Sequence, residues 1–305
     1  MYLVPKVVPV MDGVEAIGTL RDAVIVPPPA QKQVQVGDNL MIMGNTQRCH
    51  MKKAFFSAAF FCMVLLLISP AITHGDDGIR LLTQRTFGVD PAVVKYSEYS
   101  YNGKIVSVIF IDPKSLSFSV SYANPPKKVS EFHDSQPGVL LTLNGGYWDN
   151  KHFPTDLCIS NGQIIKAVNT QNKHFGLFAV DNNDSVLIDD LEGKPLSTAD
   201  LGRFKHALKS GPHLVRSGKA LTFNASTSYA RTVVAKDEKG NVLFIANKTG
   251  TMTYQEMATF LLNAGLGVAE AFNLDGGSST GFALGRGTDL VMKDSVGIAD
   301  VIQVR

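Results

Sequence analysis

The 305-residue sequence predicts a single α+β domain with a mixed, largely antiparallel sheet and a few helices. Three observations predict this class. Short runs rich in Val, Ile and Phe recur along the chain from Lys104 onward. Turn-forming residues separate many of these runs at spacings typical of hairpins. Only one segment carries a full set of helix signals, so strands outnumber helices.

Ten runs are predicted as strands, and turn sequences such as Asp112-Pro113 and Asn161-Gly162 separate them. They are Lys104–Ile111, Leu116–Tyr122, Val139–Asn144, Gln163–Val168, Phe175–Asp181, Ser185–Ile188, Thr232–Lys236, Val242–Ala246, Val268–Leu274 and Ile298–Val304. No repeat of 20–50 residues is visible, which favours one domain over a solenoid.

The clearest helix is predicted over Thr253–Ala264. Thr253 and Glu256 have the spacing of a capping box, and Gly265 follows as a C-cap. Apolar residues recur inside it at i, i+3, i+4 and i+7. They are Met257, Phe260, Leu261 and Ala264.

A second helix is predicted over Thr198–Leu208. The first helix lies between the strands 242–246 and 268–274, which predicts a strand–helix–strand unit with these two strands parallel. This unit is the reason for expecting a mixed sheet.

The first 75 residues are predicted to lie outside the folded domain and to include a targeting segment. Lys52-Lys53, an apolar run over 54–68 and small residues before Gly75 form the layout of a signal peptide over 51–75. Residues 1–50 show no periodicity of either helix or strand. We expect one of two explanations: translation begins at Met51, or residues 1–50 are a cytoplasmic tail and residues 54–68 are an uncleaved membrane anchor. Residues 76–100 are then a lead-in, and 101–305 the working domain.

Charge and cysteine content exclude some functions. The formal net charge of +2 comes entirely from the first 75 residues, so the rest is neutral and a nucleic-acid partner is not expected. Cys158 is the single cysteine after residue 75, and its apolar neighbours indicate a small buried side chain and not a nucleophile.

The strongest chemical motif is Asn273-Leu274-Asp275-Gly276-Gly277-Ser278-Ser279-Thr280-Gly281, at the end of a predicted strand. It offers a carboxylate, free backbone N–H groups and hydroxyls, which suit a sugar or an oxyanion. A plain turn capped by Asp275 is the alternative. Its G-x-S-x-G portion is not a serine-hydrolase elbow, because a strand follows it and the last His, His213, lies upstream.

A second cluster, Asn144-Gly145-Gly146-Tyr147-Trp148-Asp149, also follows an apolar strand and leads into Asp156. An aromatic pair in a Gly-rich polar loop is typical of a carbohydrate-binding surface, where the aromatic rings stack on a sugar ring. The alternative is that Trp148 covers the edge of the sheet.

Two shorter motifs complete the set. Ser210-Gly211-Pro212-His213 reads as a turn that enters a strand, and Arg231 opens an apolar strand. A partly buried Arg needs an anionic partner, either a phosphate or a carboxylate in a structural ion pair. No regular metal-ligand spacing or cofactor motif is present, so no metal or cofactor is assigned, although a divalent ion assisting a phosphate is not excluded.

In this order and spacing, NGGYW, SGPHLV, ARTVVA and NLDGGSSTG resemble the phosphodiester glycosidase family, over roughly Tyr101 to the end of the sequence. The resemblance implies hydrolysis of the bond between a sugar's anomeric carbon and a phosphodiester oxygen. His213 and Thr155-Asp156 depart from the family pattern. The residues on family motif positions are Asn144, Gly145, Gly146, Arg231, Asn273, Asp275, Gly276 and Ser278.

This resemblance implies roles for the candidate residues. Asp275 and Arg231 are the expected catalytic residues, with Asp156 or Asp149 as a second carboxylate. The remaining candidates are expected to bind the substrate, a glycan or sugar-1-phosphodiester resembling N-acetylglucosamine: Asn144, Gly145, Gly146, Tyr147, Trp148, Asp149, Ser210, Gly211, Asn273, Gly276, Gly277, Ser278 and Ser279. The alternative class is an envelope protein that binds a glycan or anionic polymer without cleaving it. Either protein is expected outside the cytoplasm, secreted or in the cell envelope, with the membrane involved only through the export signal.

Overall fold

Three antiparallel sheets form the framework of the computed structural model, which describes residues 78–89, 92–285, 289–292 and 294–305. The largest sheet has eight strands in the order β1-β2-β3-β14-β13-β15-β11-β12. Its strands are β1 (Ile79–Val89), β2 (Ala92–Tyr101), β3 (Lys104–Ile111), β11 (His213–Arg216), β12 (Lys219–Ala220), β13 (Thr232–Asp237), β14 (Val242–Asn247) and β15 (Val268–Asn273).

Two five-stranded sheets complete the framework, in the orders β7-β6-β10-β8-β9 and β17-β16-β5-β18-β4. The first contains β6 (Cys158–Ser160), β7 (Gln163–Lys166), β8 (Gly176–Asp181), β9 (Val186–Asp190) and β10 (Phe204–Ser210). The second contains β4 (Phe118–Lys127), β5 (Leu141–Asn144), β16 (Phe282–Leu284), β17 (Leu290–Met292) and β18 (Ile298–Val304).

Helices are few and short in the described ranges: α1 (Val129–Asp134), α2 (Thr198–Leu201) and α3 (Tyr254–Asn263). The start of α3 is fixed by the predicted capping box. The Thr253 hydroxyl accepts from the Glu256 N–H at 3.1 Å, and the Glu256 carboxylate accepts from the Thr253 N–H at 2.8 Å. The helix ends at Asn263, Ala264 is its C-cap, and Gly265 follows with a left-handed φ of 69°.

The central strands of the eight-stranded sheet are buried on both faces, which explains their continuous apolar runs. On β13, Val233 and Ala235 face α3, where Phe260 is fully buried. Val234, between them, faces the two smaller sheets. The apolar core therefore lies in two layers, one on each side of this sheet.

All ten predicted strands are present, with ends within a few residues of the expected ones. The strand expected after Pro212 is also present as β11. The hairpin β1–β2 was not predicted, because the outer strand β1 is largely exposed and its sequence is correspondingly polar. Most of the expected lead-in is therefore part of the large sheet.

The helix predicted over Thr198–Leu208 is wrong beyond its first turn. The helix stops at Leu201, and Phe204–Ser210 forms the central strand of its sheet, paired with β6 and β8. Ala207, Leu208 and Lys209 favour helix intrinsically, but pairing on both sides overrides that weak preference. Gly202 directly after the helix assists the break.

The prediction of a mixed sheet is also wrong for the described residues, since every strand pairing in them is antiparallel. The strands β14 and β15 do run in the same direction, as the helix between them predicted. They do not pair, because β13 lies between them and is antiparallel to both. The domain is thus dominated by antiparallel strands.

The expectations for the signal peptide over 51–75 and for residues 1–50 lie outside the described residues. Within the part of the chain that the structure describes, no helix is both long and apolar enough to span a membrane.

Candidate functional site

A cavity of about 400 Å³ opens where strands of two sheets end beside one another. Asn144 ends β5, Asn273 ends β15, and Thr232 begins β13. The loops after β5 and β15 are joined here, because the Asp275 N–H donates to the Gly145 carbonyl at 2.9 Å. The lining residues are Tyr147, Thr227, Tyr229, Arg231, Tyr254, Asp275, Gly276, Gly277 and Ser278.

Arg231 is a buried cation, only 3% exposed, and makes no ion pair with a carboxylate of the described residues. Its Nε donates to the Met252 carbonyl at 2.9 Å and its Nη2 to the Thr227 carbonyl at 3.1 Å. The guanidinium carbon lies 3.8 Å from the centre of the Tyr254 ring and 5.4 Å from that of Tyr229. Carbonyl dipoles and aromatic faces thus hold the charge without neutralising it. This leaves the cavity suited to an anion.

Asp275 supplies the carboxylate of the cavity. Its Oδ1 accepts from the Gly276 N–H at 2.8 Å. Burial raises the pKa of Asp275, while Ser279, the Gly276 N–H and Trp148 beside the carboxylate act in the opposite direction. The net direction is upward, so this carboxylate accepts a proton more readily than an exposed Asp.

The Asn144 side chain joins the loops that carry these two groups, and it is only 1% exposed. Its Nδ2 donates to the Asp275 carbonyl at 2.8 Å. Its Oδ1 accepts from the Thr232 hydroxyl at 2.7 Å and from the Gly281 N–H at 3.2 Å. Asn144 therefore positions Asp275 and does not contact the cavity.

The glycine pair after Asn144 makes room for a carboxylate that the sequence analysis did not identify. The Gly145 N–H donates to the Asp300 carbonyl at 3.0 Å, and the Gly146 N–H donates to Asp300 Oδ1 at 2.7 Å. A Cβ on Gly145 would lie 2.0 Å from Asp300 Oδ1. Glycine at 145 is therefore required for the approach of this side chain.

Asp300 is 2% exposed and lies within electrostatic reach of Asp275. Burial raises the pKa of Asp300 to about 7, the negative charge of Asp275 adds to the increase, and the Gly146 N–H opposes it. A single Asp inside an apolar strand gave no motif signal. Its role becomes visible only through the antiparallel register, which pairs Val301 with Asn144.

Tyr147 is held by hydrogen bonds on one wall of the cavity. Its hydroxyl donates to the Gly211 carbonyl at 2.9 Å and accepts from Asn273 Nδ2 at 2.9 Å. Burial raises the pKa of Tyr147, and the nearby Tyr254 hydroxyl and Asp275 carboxylate act in the same direction. Tyr147 is thus a neutral hydroxyl at any physiological pH. Asn273, fully buried, acts through Tyr147.

The predicted Gly276–Ser279 segment forms the floor beside Arg231. A Cβ on Gly276 would lie 2.6 Å from the Ala230 carbonyl oxygen, so only glycine fits there. Gly277 donates to the same carbonyl at 2.7 Å. Ser278 is exposed to the cavity, and Ser279 is buried beside Asp275.

Several predicted residues lie outside the cavity lining. Asp156 forms a buried ion pair with Lys209, with Oδ2 and Nζ 2.9 Å apart. Its Oδ1 accepts from the N–H groups of Leu157 and Asn169. These contacts support the fold and place Asp156 outside the cavity lining, whereas the carboxylate near Asp275 is that of Asp300.

Four further candidates contribute to the geometry of the loops. Asp149 caps its own loop by accepting from the backbone N–H groups of Lys151 and Phe153. Ser210 and Gly211 are buried behind Tyr147. Trp148 is half-buried and packs against His152 in a tilted arrangement, with ring centres 5.3 Å apart, while its indole lies beside Asp275.

Three lining residues, Thr227, Tyr229 and Tyr254, were not predicted from the sequence. Tyr229 lies two positions before Arg231, and Tyr254 is the first residue of α3, so proximity to these features was the only signal for them. Among the described residues, no group of three His, Cys, Asp or Glu side chains has an arrangement that could hold a metal ion.

The strand framework and this cavity define a class of protein. Residues 137–301 match the model of the phosphodiester glycosidase family, more than half of the chain. The chain therefore belongs to the phosphodiester glycosidase family, as its four motifs indicated.

Individual relatives are distant. The chain is 28% identical over 152 residues to YigE, an uncharacterized Escherichia coli (strain K12) protein, and the match covers 47% of this chain and 58% of YigE. Among solved structures, it is similar to the auto-inhibited catalytic domain of zebrafish N-acetylglucosamine-1-phosphodiester alpha-N-acetylglucosaminidase. There the TM-score is 0.52 at 16% identity, covering 77% of this chain and 87% of the other. A hypothetical Synechocystis protein gives a TM-score of 0.49 at 17% identity, covering 74% and 62%.

Replacing Gly145 by Ala should destabilise the protein by about 2 kcal/mol or more, because the new methyl group meets Asp300 Oδ1. Urea unfolding followed by circular dichroism measures the loss. Gly202→Ala is the matched control, since its Cβ would meet only the Ala199 carbonyl oxygen at 3.7 Å. Equal stability of the two variants would show that the approach of Asp300 does not require glycine.

Proposed function

We propose that this protein hydrolyses the bond between the anomeric carbon of a sugar and a phosphodiester oxygen. In this reaction the C1–O bond breaks and its electron pair stays on the phosphate oxygen. Water adds to C1, which yields the free sugar and a phosphomonoester. Family membership and the cavity of described residues support this reaction class.

The observation that carries the proposal is that the Arg231 guanidinium and the Asp275 carboxylate line the same cavity. The uncompensated guanidinium provides a counter-charge for a phosphodiester and for the additional negative charge that develops on the leaving phosphate. Its Nη1 makes no hydrogen bond within the described residues, so the fork of the guanidinium retains donors for phosphate oxygens.

Asp275 has the complementary task. The anomeric centre becomes positively charged as the C1–O bond breaks, and a carboxylate beside it stabilises that charge or takes a proton from the attacking water. A phosphomonoester leaves as a stable anion, whereas the alkoxide of an ordinary glycoside requires a general acid. One carboxylate and one cation in the cavity can therefore suffice.

We further propose a sugar resembling N-acetylglucosamine, which is named in the zebrafish protein of similar fold. Tyr147 offers a neutral hydroxyl to such a substrate, and Tyr229, 53% exposed at the cavity, offers an aromatic face. Polysaccharide metabolism of the cell envelope or extracellular space is the proposed setting, with export directed by residues 51–75. N-terminal sequencing of the mature protein tests the export, and a start near Asp76 is expected.

Substituting Asp275 by Asn should lower kcat for release of sugar from an aryl N-acetylglucosamine-1-phosphodiester by at least about 100-fold, because the charge facing C1 is lost. Arg231→Gln should mainly raise KM. The assay quantifies free sugar, with and without chelator, and a panel including UDP-GlcNAc defines the substrate range.

Asp237→Asn is the control for both variants, because Asp237 is a buried carboxylate that lies away from the cavity and caps a turn at the far end of β13. Unchanged turnover by Asp275→Asn would remove Asp275 from the reaction. Tight binding of every diester without release would instead identify a glycan-binding protein.

The pH dependence should reflect the raised pKa of Asp275. The ionised form is the active one, so kcat/KM should fall with acidification, and the midpoint should lie above the value of about 3.9 typical of an exposed Asp. Initial rates between pH 4 and 6, with circular dichroism as a check that the protein remains folded, measure this limb. A rate that is constant down to pH 4 would contradict the assigned role.

A further inference from the structure

A second carboxylate lies behind the cavity, on a strand that the proposed reaction has not used. Asp300 Oδ1 accepts from the Gly146 N–H, and the Asp300 carbonyl accepts from the Gly145 N–H. The Gly145 carbonyl in turn accepts from the Asp275 N–H at 2.9 Å. A short backbone path of two glycines thus connects Asp300 to Asp275.

The same path brings the two carboxylates near each other, and the negative charge of Asp275 contributes to the raised pKa of Asp300. The other groups facing Asp300 are the Cys158 thiol on β6 and Tyr122, its register partner on β4. Lys209, on β10 next to β6, is already paired with Asp156. Within the described residues, no cation therefore pairs with Asp300.

We propose that Asp300 is a positioning residue for Asp275, and that ionisation of Asp300 weakens the binding of anions at Arg231. Asp300 is too buried to touch a ligand, so both effects pass through the Gly145–Gly146 backbone and through the electric field. The inference rests on the proposed function of Arg231 as the anion site. Its consequence is a cavity that accepts an anionic substrate better on the acidic side of neutrality.

Sulfate binding tests the electrostatic part without any turnover, because sulfate keeps its charge between pH 6 and 8. The wild-type dissociation constant, measured by isothermal titration calorimetry, should rise roughly three- to tenfold from pH 6 to pH 8 as Asp300 ionises. Asp300→Asn should change by less than about twofold. Asp237→Asn should behave as the wild type, and Arg231→Gln should remove the binding.

An equal rise in the wild type and in Asp300→Asn would overturn the proposal, as would the absence of a rise in the wild type. Thermal melts add a readout independent of ligands. A carboxyl whose pKa is raised on folding stabilises the protein at acidic pH and loses that contribution as pH rises through about 7. The melting temperature of Asp300→Asn minus that of the wild type should therefore increase from pH 5 to pH 8. A difference between the two melting temperatures that does not change with pH would overturn the assignment.

The positioning part is tested by comparing Asn with Ala at residue 300. Asn keeps an oxygen that accepts from the Gly146 N–H, so kcat for the aryl diester should stay within about threefold of the wild type at pH 6. Ala removes that oxygen, and kcat should fall at least about tenfold. Equal losses in the two variants would overturn the positioning role. If no variant and no wild-type protein releases sugar while sulfate binding retains the predicted pH dependence, the proposed reaction fails and the electrostatic role of Asp300 stands.

Discussion

The side-chain amide of Asn144 is the contact on which the arrangement of the cavity depends. It bonds simultaneously to the loop after β15, to the first residue of β13 and to the N–H of Gly281, which precedes β16. These groups belong to two different sheets, and Asn144 is almost completely buried between them. The amide donates through Nδ2 and accepts twice through Oδ1, whereas an ionised carboxylate could only accept.

Near Asn144, the fold contains charged side chains that form no ion pair within the described residues. Arg231 is surrounded by carbonyl oxygens and tyrosine rings, and neither Asp275 nor Asp300 forms an ion pair with a cation of the described residues. Burial of unpaired charge is unfavourable, so the two-layer apolar core and the antiparallel ladders must offset it. Such local unfavourable electrostatics is typical of sites where a ligand supplies the missing charge.

The sequence was informative wherever a local rule decides the structure. Alternating and continuous apolar runs placed ten strands, and the Thr253–Glu256 capping box placed α3, because both signals act within a few residues. Asp275 and Arg231 were found because glycines and polar residues interrupt apolar strands at those points. The strand β10 was mistaken for helix because its partners, β6 and β8, come from elsewhere in the chain. Asp300 was invisible for the same reason, since only strand register brings it behind Gly145.

The position of β18 in its sheet has a consequence for biosynthesis. This strand separates β4 from β5 and brings Asp300 to the glycine pair, although more than 150 residues separate Asn144 from it along the chain. The pairing of β18 with β5 and the contact of Asp300 with the glycine pair cannot form before residues 298–304 have left the ribosome. Contacts between such distant segments are expected to make folding slow.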